Sequence, residues 1–234
     1  MKNSIMRRLS LSLVLGAMSF CAIGSGMRPE TPLVFINAAE AGGKINVKNT
    51  DAGPRLLYTT VQEVEGGSRD VQVVPTQPIA RVEAGNTQQV RFVLTGADSL
   101  KVQQLKRVIF EGIPERTPGA NQLIFTVRQD VPLIIHPKGL PDVSNPWTRL
   151  TWNVKGGSLV VSNDTPYVVR LEPRVVLLPS NVEGSLGKSF ILPGEALTAT
   201  FKNSGKLAES TEVKLFPATR YGYQAPDYVA QIAK

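Results

Sequence analysis

The chain has 234 residues, a formal net charge of +7, 42% hydrophobic and 19% charged residues, one His and one Cys. A single His136 and a single Cys21 exclude zinc sites built from several His or Cys ligands, and leave a catalytic triad or a thiol enzyme one possible residue each. The chain is long enough for one large domain or two of about 100 residues, and its 17 prolines, scattered between short apolar runs, point to many short strands joined by turns.

The first segment is for targeting. Residues 1–24 carry Lys2, Arg7 and Arg8, then the apolar run 9–18, then small residues around Ala22 and Gly24, the pattern of a secretory signal peptide. That run is too short to be retained as a membrane span, and no later stretch reaches the roughly 18 apolar residues a span needs. Phe20 is too bulky for the position before a lipidated cysteine. The mature chain is therefore expected to be soluble, not membrane-embedded, and free of cysteine. It loses three positive charges with the leader and keeps +4, with no basic run and no aromatic RNA-binding signature, which argues against nucleic acid as a partner. Without disulfides its stability must come from apolar cores.

From residue 33 on, β-prone runs follow at 33–36, 44–49, 56–64, 71–74, 88–94, 106–111 and 123–135. Seven such runs suit an immunoglobulin-like sandwich. Val90, Phe92 and Leu94 share one strand face, as do Ile45 and Val47. Turn residues separate the runs, at Asp51-Ala-Gly-Pro54, Gly66-Gly67, Ala84-Gly-Asn86 and Pro118-Gly119. A second series follows at 150–154, 159–162, 167–171, 190–192, 197–202 and 212–218. The expected fold is all-β: a signal peptide over 1–24, one immunoglobulin-like domain over 25–139 and another over 140–234, set at an angle by a Pro/Gly linker near 138–140.

Motifs for chemistry are mostly missing. Gly184-Ser-Leu-Gly-Lys-Ser189 has the wrong spacing for a phosphate loop and reads as a hairpin turn. Asn163-Asp-Thr165 has the form of a glycosylation acceptor, but Pro166 follows and a turn is the better reading. Trp147 and Trp152 are expected in a core, His136 in a structural role near the linker, and Glu63 and Glu65 on a solvated strand edge. No catalytic residue, metal site or cofactor is expected. The run 123–135 is long for a sandwich strand. Leu123, Phe125 and Val127 lie on one face, and periodicity leaves two possibilities open: they fill the core, or they form an exposed apolar row that pairs with another chain.

Met27-Arg-Pro-Glu-Thr-Pro32, Val90-Arg-Phe92, Phe110-Glu-Gly-Ile-Pro114, the alternating strand from Leu123 and Asn163-Asp-Thr-Pro-Tyr-Val-Val169 together resemble the PapD-like periplasmic chaperones of fimbrial chaperone–usher systems. Within them the opening and the Ile134-Ile-His-Pro137 segment are most similar to the archaic branch. The resemblance implies a non-enzymatic periplasmic protein whose partners are fimbrial (pilin) subunits and an outer-membrane usher. It implies that Leu123, Phe125, Val127 and, by parity, Val131 are lent to an incomplete subunit. In the best-known branch an Arg and a Lys also clamp the subunit's C-terminal carboxylate; here Pro32 and Pro132 stand at those positions. Arg107 is the first candidate for a replacement, with Lys106 and Arg128 behind it. Two other classes compete: a secreted immunoglobulin-like fimbrial subunit, which would be a single domain with a donor extension, and a sugar-binding or hydrolytic sandwich, which would need aromatic platforms or paired acids.

Overall fold

The computed structural model describes residues 26–115, 126–202 and 204–233. The expected leader lies outside these residues, and so do Leu123 and Phe125. No helix among the described residues is long and apolar enough to cross a membrane.

The first half is a sandwich of two sheets. One has the order β1 (Met27–Pro29), β3 (Gly42–Asn49), β7 (Thr87–Thr95), β5 (Gln72–Pro75). The other runs β2 (Val34–Asn37), β9 (Arg128–His136), β8 (Gln104–Pro114), β4 (Arg55–Glu63), β6 (Ile79–Val82). Alternation decides which side chains meet between them. Ile45 and Val47 of β3 and Val90, Phe92 and Leu94 of β7 face Leu57, Val108, Phe110, Leu133 and Ile135 across one apolar core. Burying each contributes about 1.5–3 kcal/mol. Asn49, fully buried, ties the sheets together: its Nδ2 donates to the carbonyls of Gly53 and Val82, both at 2.9 Å, while its Oδ1 accepts from Asp51 N–H. This explains the turn at Asp51-Ala-Gly-Pro54. Gly112 lets β1 lie close, since a Cβ there would sit 3.0 Å from Met27 Cγ. Two strands of this half were not expected, β1 and β6; both are short and lie at sheet edges.

The second half pairs a sheet of β10 (Thr151–Lys155), β11 (Ser158–Ser162) and β15 (Ala196–Thr198) with a larger one. The latter has the order β16 (Thr200–Phe201), β13 (Val182–Ser185), β12 (Val169–Leu178), β17 (Glu212–Pro217), β18 (Tyr228–Gln231), with β14 (Phe190–Ile191) also on β12. Trp147 and Trp152 sit in its core with Leu159, Val161, Leu177 and Leu215. Gly184 belongs to β13, not to a turn, and is glycine because a Cβ would collide with the Phe201 ring of β16. Asn163 is buried and braces its turn, donating to the carbonyls of Tyr167, Ile191 and Leu192 and accepting from Thr165.

The halves meet across a small apolar cluster, Leu33, Leu105 and Ile134 from the first and Val168 and Leu192 from the second. Gln103 stitches this joint. Its N–H donates to Pro166 O, its Oε1 accepts from Val168 N–H at 2.9 Å, and its amide then faces His136 Nδ1 at 2.9 Å. His136 Nε2 is left to donate to Leu140 O at 2.8 Å, which gives the ring the structural role expected of it. Gln103→Ala should strand the Val168 N–H and cost about 1–3 kcal/mol. Small-angle scattering should then show a broader range of interdomain angles; an unchanged profile and stability would contradict this role for Gln103.

Candidate functional site

The site is built on β9 and the cleft into which it runs. β9 pairs antiparallel with β8 along its length, Arg128 opposite Glu111 through Gln104 opposite Ile135. On its other side β2 covers only residues 133–136, in parallel register. Among the described residues, no strand covers that side of residues 128–132. An uncovered row of backbone donors and acceptors is a template for another strand. Pro132, at the end of this stretch, is in keeping with an edge.

Side-chain depth changes along the strand. Val127 is 43% exposed, whereas Val131 is 6% exposed and packs in the first domain's own core beside Leu133 and Ile135. The expectation that Val131 continues an exposed row is therefore corrected: the parity holds, but by residue 131 the strand has entered the sandwich. Leu123 and Phe125 share the parity of Val127 and lie outside the described residues.

The three expected carboxylate anchors separate. Lys106 shares a face with Val108 and Phe110, so its side chain points into the sandwich, 1% exposed, where Nζ meets Glu63 Oε2 at 2.6 Å. It is not available to a ligand, and Glu63 is the partner of a buried ammonium rather than a merely solvated edge residue. Arg128 pairs with Glu111 at 3.2 Å, six residues and therefore about 20 Å along the strand from Ile134 in the cleft. Arg107 stands opposite Pro132, where the open edge ends, and is held by Asp130 through Nε at 2.6 Å and by the Asp130 carbonyl through Nη2.

Two further cations line the cleft, both from the second domain. Arg220 donates from Nη1 to Asp142 at 2.9 Å and stacks over the Phe35 ring at 4.6 Å. That hydrogen bond holds the Asp142 carboxyl below its usual pKa. Arg170 lies beside Phe35, Ile134 and Val168 with its Nη1 sealed from solvent and without a hydrogen-bond partner. Burial, then the nearby Arg107 charge, lowers its pKa from the ordinary guanidinium value. Its sequence signal was slight: Val169 and Leu171 take the second domain's core face, so Arg170 must point the other way. That the other way is the cleft follows only from how the domains sit. Among the described residues no group of His, Cys, Asp or Glu could hold a metal ion.

Comparison with known proteins gives a consistent answer. Residues 26–141 match the N-terminal domain of PapD, a pili and flagellar-assembly chaperone, and residues 145–228 match the C-terminal domain of the PapD pili assembly chaperone. The chain is 38% identical over 214 residues to YhcA of Escherichia coli K12, described as an uncharacterized fimbrial chaperone, covering 92% of this chain and 94% of that protein. Among solved structures it resembles the E. coli chaperone DraB (TM-score 0.70, 19% identity, 88% of this chain and 98% of that one). It also resembles a chain from the complex of the Salmonella enterica SafA pilin with the SafB chaperone (TM-score 0.71, 22% identity, 88% and 96%).

Proposed function

Because the chain belongs to the PapD family of pili-assembly chaperones, which are not enzymes, we propose that it works in the periplasm, capturing fimbrial subunits on the open edge of β9 and passing them to an outer-membrane usher. The observation that carries this is the uncovered backbone of residues 128–132, continuous with exposed Val127 and with the alternating Leu123 and Phe125. Main-chain hydrogen bonds would supply affinity, and alternate apolar side chains entering a groove of the subunit would supply specificity. The neighbouring complex of a pilin with its chaperone supports the same kind of partner here. The archaic-branch assignment is supported by the Met27-Arg-Pro-Glu-Thr opening and by the two prolines at the positions of the usual basic pair.

The usher would need a surface left free while β9 is engaged. Leu56, Tyr58, Ile79 and Ile113, all exposed, gather on neighbouring strands β4, β6 and β8, toward the far edge of the same sheet, and suit that second contact. Coexpression with secreted immunoglobulin-like proteins encoded nearby tests the proposal. A stable complex of the chain with one such protein is expected. Recovery of the free chain alone with every candidate would overturn it.

A further inference from the structure

The chain's one histidine, His136, is buried at the joint between the domains, and the hydrogen bonds through it run in one direction only. At one end stands a backbone donor, Val168 N–H, which fixes Gln103 Oε1 as its acceptor at 2.9 Å. The Gln103 amide must then present Nε2, a donor, to His136 Nδ1 at 2.9 Å. At the other end stands a backbone acceptor, Leu140 O, 2.8 Å from His136 Nε2. Both ends are main chain and cannot reverse their roles. Only a neutral imidazole with its hydrogen on Nε2 satisfies every partner.

An imidazolium carries a hydrogen on both nitrogens. Its Nδ1–H would point at the Gln103 NH2, and turning that amide over would aim the NH2 at Val168 N–H instead. Either way two donors meet in a buried joint, and a hydrogen bond is lost there. The surrounding charges do not relieve this. Asp142 Oδ1 lies 3.8 Å from Nε2 and favours a cation, but Asp142 is exposed and its other oxygen is taken by Arg220 at 2.9 Å. Arg220 opposes a cation, because its guanidinium stacks on the same Phe35 ring that packs against the imidazole, the two ring centroids 5.4 Å apart. Lys138, two residues along, is exposed and also positive. The Tyr167 hydroxyl is engaged with Pro141 O, and β2 sets the uncharged Asn37 opposite His136.

We infer that His136 couples the interdomain joint to pH: the joint is locked while the imidazole is neutral and released when it takes up a proton. This goes beyond strand capture and does not depend on it. The β9 edge belongs to the first domain, while Arg170 and Arg220 of the cleft belong to the second, so acid loosens the register between them. An imidazole in water takes up its proton near about pH 6.5. Opening the joint is therefore favoured as pH falls below that value, by at most about tenfold per pH unit, and is indifferent to pH well above it.

Nuclear magnetic resonance on the full mature chain, without a histidine tag, tests this. At about pH 8 the imidazole nitrogen shifts should place the hydrogen on Nε2; a hydrogen on Nδ1 overturns the inference. Between about pH 7.5 and about pH 5 the protection of Val168 N–H against hydrogen exchange, corrected for the intrinsic rate, should fall by about 30-fold. Ala199 N–H, which donates to Leu159 O inside the second domain's core, should keep its protection. Unchanged protection at Val168, or an equal fall at Ala199, overturns the inference. Gln103→Glu should reverse the sign, because a carboxylate accepts from both Val168 N–H and an imidazolium Nδ1–H, so that Val168 becomes better protected in acid. His136→Gln, which cannot take up a proton in this range, should show the same Val168 protection at both pH values. A fall of wild-type size in either variant would place the proton on another group and overturn the inference.

Discussion

A chain carrying Val127→Glu, and more so one carrying Phe125→Glu, should unfold at the wild-type temperature and yet retain no subunit. Val127 is 43% exposed, so a carboxylate there stays in water while the chain is free. In a complex the same carboxylate would have to enter an apolar groove without a partner, which costs several kcal/mol or more. Removing the apolar side chain forfeits a further 1.5–3 kcal/mol or so of burial, before association costs are counted. Phe125 lies outside the described residues, and its share of the prediction rests on its parity with Val127 in the sequence. If Phe125 instead filled the core, Phe125→Glu would destabilise the free chain by several kcal/mol. Thermal unfolding and subunit copurification on the same variants distinguish the two.

Glu63→Gln is expected to give the opposite pattern, a large loss of stability with the binding surface intact. The Lys106 ammonium is sealed in the first sandwich and held by Glu63, with a long 3.4 Å contact to Ser68 O as its only other partner among the described residues. Breaking a buried pair from one side costs about 3–5 kcal/mol. Glu63 is 34% exposed, so water can reach the ammonium once the carboxylate is gone, and the expected loss is nearer 2–3 kcal/mol, roughly 10 °C in melting temperature. Adding Lys106→Met should restore most of it, because the pair is then replaced by an apolar chain of similar length. Chemical denaturation of the single and double variants checks this. A Glu63→Gln variant as stable as wild type would mean that the pair contributes nothing.

The sandwich strands were readable wherever one face is buried and the other wet. Val90, Phe92 and Leu94 alternate with Arg91 and Val93, and the structure buries the first three and leaves the others exposed. β1 and β6 escaped notice because strands of three and four residues at an edge need little apolar patterning. Lys106 is the more instructive case. Its parity with Val108 and Phe110 was visible and placed it inward, but residue type suggested surface, and the partner that makes burial tolerable is 43 residues away. Val131 shows the converse: parity tells which face a side chain takes, not how far along the strand the sandwich begins. Arg170 was beyond reach because its surroundings are assembled from both domains. Periodicity within β12 sets its direction, while Gln103, His136 and the apolar joint set what it faces.

Amide hydrogen exchange on the free chain and on its complex with a copurified subunit addresses strand capture most directly. Pairing at the β9 edge should slow exchange at residues 126–131 by at least about tenfold, equivalent to roughly 1.4 kcal/mol of added protection. Strands β3 and β7 of the opposite sheet should exchange as they do in the free chain. A stable complex in which residues 126–131 exchange at the free-chain rate would show that the subunit is held elsewhere.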